Sequence, residues 1–139
     1  MISVTRRYRF PAAHVLSSAA FSDAENQRIY GKCANPSGHG HDYGLEITLA
    51  GPIDPSSGSI FPIERLDAVV RERILDRLSH RRLNDDPWFQ VAVPTAENIA
   101  IAIERELRSE FDATSRARLV CVRLLETRRN FFACGEAVA

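Results

Sequence analysis

The sequence predicts an α+β protein: a small antiparallel four-stranded sheet with two helices on one face. Three observations carry that expectation. Apolar and polar residues alternate near the start of the chain and again after residue 42, which sends every second side chain to one face of a strand. Apolar residues then recur at three- and four-residue steps in two later stretches, the spacing of a helix with one buried side. A second β-rich pair follows. The order β-β-α-α-β-β sets strand pairs on either side of the helices, which suits a layered sheet with helices on one side.

Each element has its own signature. Residues 2–10 place Ile2, Val4, Tyr8 and Phe10 on one side and Ser3, Thr5, Arg7 and Arg9 on the other. Pro11 is expected to end regular pairing, which leaves His14 just past a strand end. Residues 15–32 show no clear period and read as a long loop with local helix; a loop of that length suggests a task. Tyr43, Leu45, Ile47 and Leu49 alternate with Gly44, Glu46, Thr48 and Ala50 in a second strand, and the turn cluster G-P-I-D-P-S-S-G follows it. Pro62 opens the first helical pattern of Ile63, Leu66, Val69, Val70, Ile74 and Leu78, a position that suits proline. That helix ends near the polar segment S-H-R-R-L-N-D-D-P-W. The next begins after Pro94, with Thr95 as its N-cap and Glu97 in its first turn, and buries Ile99, Ile103, Leu107 and Phe111. Residues 118–126 form a third strand, and T-R-R-N turns the chain into a last one around F-F-A-C-G-E-A-V. A small sheet with open edges invites pairing between chains, so a homo-oligomer is expected.

The totals narrow the class. A chain of 139 residues fits one domain, 1–139. Lys+Arg and Asp+Glu are both 18, a balance that argues against nucleic acid or a membrane surface as the main partner. No apolar run is long enough to span a bilayer, and the opening residues lack the apolar core of a signal peptide. With 3 cysteines, an odd count, the expected setting is reducing and cytoplasmic, with free thiols.

The residues that carry chemistry centre on Cys33–Tyr43, C-A-N-P-S-G-H-G-H-D-Y. His39 and His41 are two apart, so in a strand they share a face, and His14 joins them from the end of the first strand. Three imidazoles with an open fourth position describe a catalytic zinc site. Cys33 as a fourth protein ligand would make the site structural instead. A thiol beside a dication should have a depressed pKa, and Cys33 could then act as a base on carbon. His80 could relay its proton. Glu126, at the end of an apolar strand, would bind a planar pair of N–H donors if it is buried. Cys121 and Cys134 read as small hydrophobes.

In order along nearly the whole chain stand F-P-A-A-H, C-A-N-P-S-G-H-G-H-D-Y, G-P-I-D-P-S-S-G, L-S-H-R-R-L-N, P-T-A-E-N and L-L-E-T. Together they resemble the 6-pyruvoyltetrahydropterin synthase family, which includes the 6-carboxytetrahydropterin synthases of queuosine biosynthesis. The resemblance implies the tunnelling fold, with trimers closing a β-barrel, two trimers stacked as a homohexamer, and active sites between subunits. Carried over by position, His14, His39 and His41 would hold Zn2+, Cys33 would be the catalytic thiol and His80 its relay. Glu126 would anchor the pterin, with Thr127, Thr95 and Glu97 around the same pocket. The implied reaction eliminates triphosphate from 7,8-dihydroneopterin triphosphate to give 6-pyruvoyltetrahydropterin. The carboxy branch instead cleaves the side chain and releases acetaldehyde. Five residues separate Cys33 from H-G-H, a spacing that resembles the pyruvoyl enzymes.

Two departures from the family pattern stand out. Ser79 precedes the relay histidine where the family usually has Asp, so the imidazole lacks the carboxylate that would orient it; either activity is reduced, or Asp85 or Asp86 substitutes. Pro62 occupies a second position where Asp is common, and should alter helix entry more than chemistry. A rival reading is a zinc-bearing, pterin-binding oligomer without catalysis, which Ser79 favours and Cys33, His80 and Glu126 oppose. A sister lyase or aldolase activity would be favoured by a glutamate in place of the thiol, and the chain has the thiol.

Overall fold

The computed structural model describes residues 1–114 and 116–136, and the side chains of all of these except 112–114. Its α+β architecture holds a five-stranded sheet in the spatial order Arg81–Arg82, Ile2–His14, His39–Gly51, Arg118–Leu125, Phe131–Gly135. Strands β1 (Ile2–His14) and β2 (His39–Gly51) form one antiparallel ladder from Ile2↔Gly51 to His14↔His39. Helix α1 (Asp23–Tyr30) and a 3₁₀ turn (Gly31–Ala34) lie between them. After β2 come α2 (Ile63–Val70), a π-helical turn (Arg71–Leu75) and α3 (Asp76–Leu78), then β3 (Arg81–Arg82), α4 (Ala96–Thr114), β4 (Arg118–Leu125) and β5 (Phe131–Gly135).

The helical and strand periods lead to the observed core. Phe10 and Ala12 of β1, Tyr43, Leu45, Ile47 and Leu49 of β2, and Leu119, Val122 and Leu124 of β4 share one buried cluster. Leu66, Val70, Ile74 and Leu78 join it from the α2–α3 stretch, and Ile99, Ile103, Leu107 and Phe111 from α4. Both helical stripes therefore pack on one side of the sheet. Each fully buried aliphatic or aromatic side chain contributes roughly 1.5–3 kcal/mol relative to exposure. Thr95 caps α4 as expected, its hydroxyl accepting from the Asn98 N–H at 3.3 Å.

Two expectations are corrected. The sheet has five strands and is mixed, because Arg81–Arg82 pairs in parallel with Ala12–Ala13; a two-residue strand has no period to read. Pro11 does not end β1, which runs on to His14. The Pro11 carbonyl accepts from the His80 N–H at 2.7 Å. Since a strand residue points its N–H and C=O the same way, the missing N–H faces β3 and removes nothing from the β1–β2 ladder. The segment after His14, expected as a long loop with local helix, carries its helix as α1, capped by Ser22, whose side chain accepts from the Glu25 N–H. Of the last expected strand, Phe131–Gly135 is confirmed, while Ala137 and Val138 lie outside the described residues.

The ladder fixes the place of the histidines. His14 ends β1, its register partner His39 begins β2, and His41 lies opposite Ala12. Gly38, just before His39, has φ +84°, a left-handed conformation that costs glycine little. It turns the chain from the 3₁₀ segment into β2. Among the described residues, no helix is long and apolar enough to cross a membrane.

Candidate active site

His14, His41 and Cys33 converge. One ligand atom from each lies within 4.8 Å of the other two. His14 is fully buried, and its Nδ1 lies 2.9 Å from the Pro94 carbonyl. A carbonyl only accepts, so Nδ1 carries the proton and Nε2 presents a lone pair. The Nε2 atoms of both His14 and His41 are buried without a hydrogen-bond partner. Two desolvated nitrogens without partners beside a thiol are costly unless something binds them, and imidazole with thiolate is a donor set that suits zinc. The residues present therefore fit the metal that the family pattern implies.

His39 stands beside this group. Its ring centroid is 4.3 Å from that of His41 and 6.1 Å from that of His14. The expected trio of imidazoles is thus brought together as rings, while the donor atoms that lie within 4.8 Å of one another pair two of them with Cys33. That thiol sits on the 3₁₀ turn, where the Cys33 carbonyl accepts from the Leu16 N–H at 2.6 Å. The bond ties the turn to the chain just beyond His14.

Burial sets the charge state of this cluster. It lowers the pKa of His14 and pulls His41 down to about 4, with the neighbouring imidazoles adding to the effect. Burial also raises the Cys33 thiol, and the Glu126 carboxylate raises it further. The expected depression of the Cys33 pKa is therefore absent from the protein's own field and requires a cation. Glu126 follows β4 and is raised by burial first and by Glu97 second.

The other expected residues are placed as follows. Thr127 accepts from the N–H groups of Arg129 and Asn130 at 3.2 and 3.1 Å, so its hydroxyl builds the β4–β5 turn. Glu97 is exposed on the first turn of α4. His80 is exposed, with φ 59°, and lines a shallow groove with His41, Arg81 and Arg82. No hydrogen bond joins its side chain to Cys33 among the described residues. Asp86 cannot stand in for the missing carboxylate: both its oxygens are held by Arg77, at 2.9 and 2.7 Å, and one also accepts from the Trp88 N–H. Asp85 remains exposed, 4.0 Å from Arg82.

A family model described as 6-pyruvoyl tetrahydropterin synthase matches residues 3–137. The chain belongs to the 6-pyruvoyl tetrahydropterin synthase family. The 6-pyruvoyl tetrahydrobiopterin synthase of Pongo abelii is 39% identical over 128 residues, 91% of this chain and 86% of its own length. The Homo sapiens protein of the same name is 43% identical over 101 residues, 72% of this chain and 70% of its own. The solved structure of Caenorhabditis elegans 6-pyruvoyl tetrahydropterin synthase matches with a TM-score of 0.89 at 36% identity, covering 98% of this chain and 96% of that one. Membership makes the chain an enzyme, a lyase of the 6-pyruvoyl tetrahydropterin synthase type.

Seen as such a synthase, the chain has supporting residues that the sequence did not mark. Pro94 fixes the His14 tautomer through its carbonyl, from just before α4. Tyr43 is fully buried, its ring stacked on Phe10 and 5.3 Å from that of His41. Asn84 clamps the residue after His14, accepting from the Val15 N–H and donating to the Val15 carbonyl, both at 2.8 Å. Alternation identified Tyr43 only as a strand hydrophobe. The Pro94 and Asn84 contacts span 80 and 69 residues, and no local pattern encodes them.

Proposed function

We propose that this protein is a zinc-dependent lyase that eliminates triphosphate from 7,8-dihydroneopterin triphosphate to give 6-pyruvoyltetrahydropterin. The observation that carries the reading is the convergence of His14, His41 and Cys33 around two buried imidazole nitrogens without partners, in a chain of this family. His14, His39 and His41 would hold the metal, which when bound would polarise the substrate's side-chain hydroxyls and acidify the adjacent carbon. Cys33 would take the proton from that carbon, and His80 would carry it onward. Glu126 would accept from the planar N–H pair of the pterin, with Glu97, Thr95 and Thr127 around the same pocket. The five residues between Cys33 and H-G-H support the pyruvoyl reaction over the carboxy one, in which acetaldehyde would leave.

The assembly is part of the proposal. Residues 1–139 are taken as one pterin-synthase-like domain that works in the cytoplasm as a homohexamer of two stacked trimers, each trimer closing a β-barrel. Support comes from two sheet margins: β5 at one end, and at the other the stretch of β1 beyond its short pairing with β3. Such margins invite strand pairing between chains.

A second reading has a specific observation behind it. Ser79 leaves His80 without a neighbouring carboxylate, and Asp86 is committed to Arg77. A pterin-binding oligomer without turnover would look the same. Release of inorganic triphosphate by zinc-loaded protein separates the two. The lyase reading expects release that stops with a chelator and falls by at least about 10²-fold in Cys33→Ala, with pterin binding retained. Binding without release in the unmutated protein would favour the non-catalytic reading.

A further inference from the structure

We infer that Cys33 is itself a metal ligand in the substrate-free protein and leaves that place when a hydroxyl-bearing substrate arrives. This rests on the zinc site proposed above and concerns how its fourth position is filled at rest.

The geometry distinguishes the three converging residues. In a tetrahedral zinc site with Zn–N near 2.0–2.1 Å and Zn–S near 2.3 Å, ligand atoms stand roughly 3.3–3.6 Å apart. The donor atoms of His14, His41 and Cys33 already lie within 4.8 Å of one another, so side-chain adjustments of about an ångström would close them on a common ion. His14 is immobilised by the Pro94 carbonyl and by complete burial. His41 is held in the β1–β2 ladder opposite Ala12. Cys33 is different. It is half-buried, its turn is fastened through its main-chain carbonyl, and no hydrogen bond to its sulfur appears among the described contacts. Gly31, which opens the turn, and Gly38, beyond its end, are both at positive φ.

Of the converging donors, the thiolate is the one carried on a 3₁₀ turn rather than on a strand of the β1–β2 ladder, and its single side-chain torsion would carry it toward the ion or away from it. A cation held by imidazoles plus Cys33 is a closed set, as in structural sites, whereas one held without it has an open position, as in catalytic sites. The same residue would then guard the ion at rest and be released as a base beside the carbon it must deprotonate.

X-ray absorption at the zinc edge of the full-length, zinc-loaded protein tests this without relying on turnover. The expected result is one sulfur scatterer per zinc at about 2.3 Å in the free protein. That scatterer should be lost in Cys33→Ser, with zinc still bound through the imidazoles, and lost again when 7,8-dihydroneopterin is added to the unmutated protein. Zinc bound at one equivalent with only a nitrogen and oxygen shell would overturn this inference and leave the zinc site standing. A sulfur shell that persists in Cys33→Ser, or that persists with the pterin bound, would also overturn it. Failure to bind zinc at all would remove the zinc site and this inference together.

Discussion

The proton on His14 is placed by a main-chain carbonyl 80 residues away. That contact decides which nitrogen faces Cys33 and His41, and it exists only once α4 has been brought against the end of β1. The histidines themselves were legible: H-G-H and a third His after a strand-like stretch pointed to one cluster, and the ladder puts them there. The state of Cys33 was not legible, because its direction of shift depends on burial and on Glu126, both products of the folded chain. Burial also gives metal-free protein an acid weakness. His41 titrates at about 4 when folded against an ordinary 6.5, so between those values the unfolded chain binds the more protons. Stability is then fully present above pH 6.5 and is lost as pH falls toward 4. His14, also lowered, adds to the trend. Chelator-treated protein should therefore melt at progressively lower temperature across that window. His41→Asn should flatten part of the slope; an unchanged slope would place the sensitivity elsewhere.

At the scale of elements, the long periodic stretches were readable and the short or tertiary ones were not. The α4 stripe of Ile99, Ile103, Leu107 and Phe111 is buried as its spacing requires. Replacing Ile103 by Ala should cost about 2–5 kcal/mol in denaturant unfolding. A loss under about 1 kcal/mol would mean that the stripe is not packed as described. Pro11 misled because its effect depends on which neighbour its nitrogen faces, and that neighbour is the two-residue β3. The stretch after His14 read as a loop with local helix, without a period to bound that helix, because α1 buries little: Asn26 is its only buried residue. Asn26 faces inward to clamp Ser18, accepting from its N–H at 2.8 Å and donating to its carbonyl at 3.1 Å. A polar side chain in that role leaves no hydrophobic period to find.

For the whole molecule, the fold class and the family were both accessible from the sequence, since the ordered motifs span nearly the full chain. The edges of the sheet are the feature that one chain leaves unfinished. Phe131 on β5 and Ile2 on β1 are exposed, 58% and 51%, on strands that end the sheet or border its shortest strand. Sedimentation equilibrium of the full chain should give a hexamer, and a concentration-independent monomer would contradict barrel closure. The reaction is tested most directly by its product. Zinc-loaded protein incubated with 7,8-dihydroneopterin triphosphate should yield a 6-pyruvoyl tetrahydropterin by mass spectrometry, absent in the Cys33→Ala control. A 6-carboxy product with acetaldehyde, or unchanged substrate, would contradict the proposed reaction.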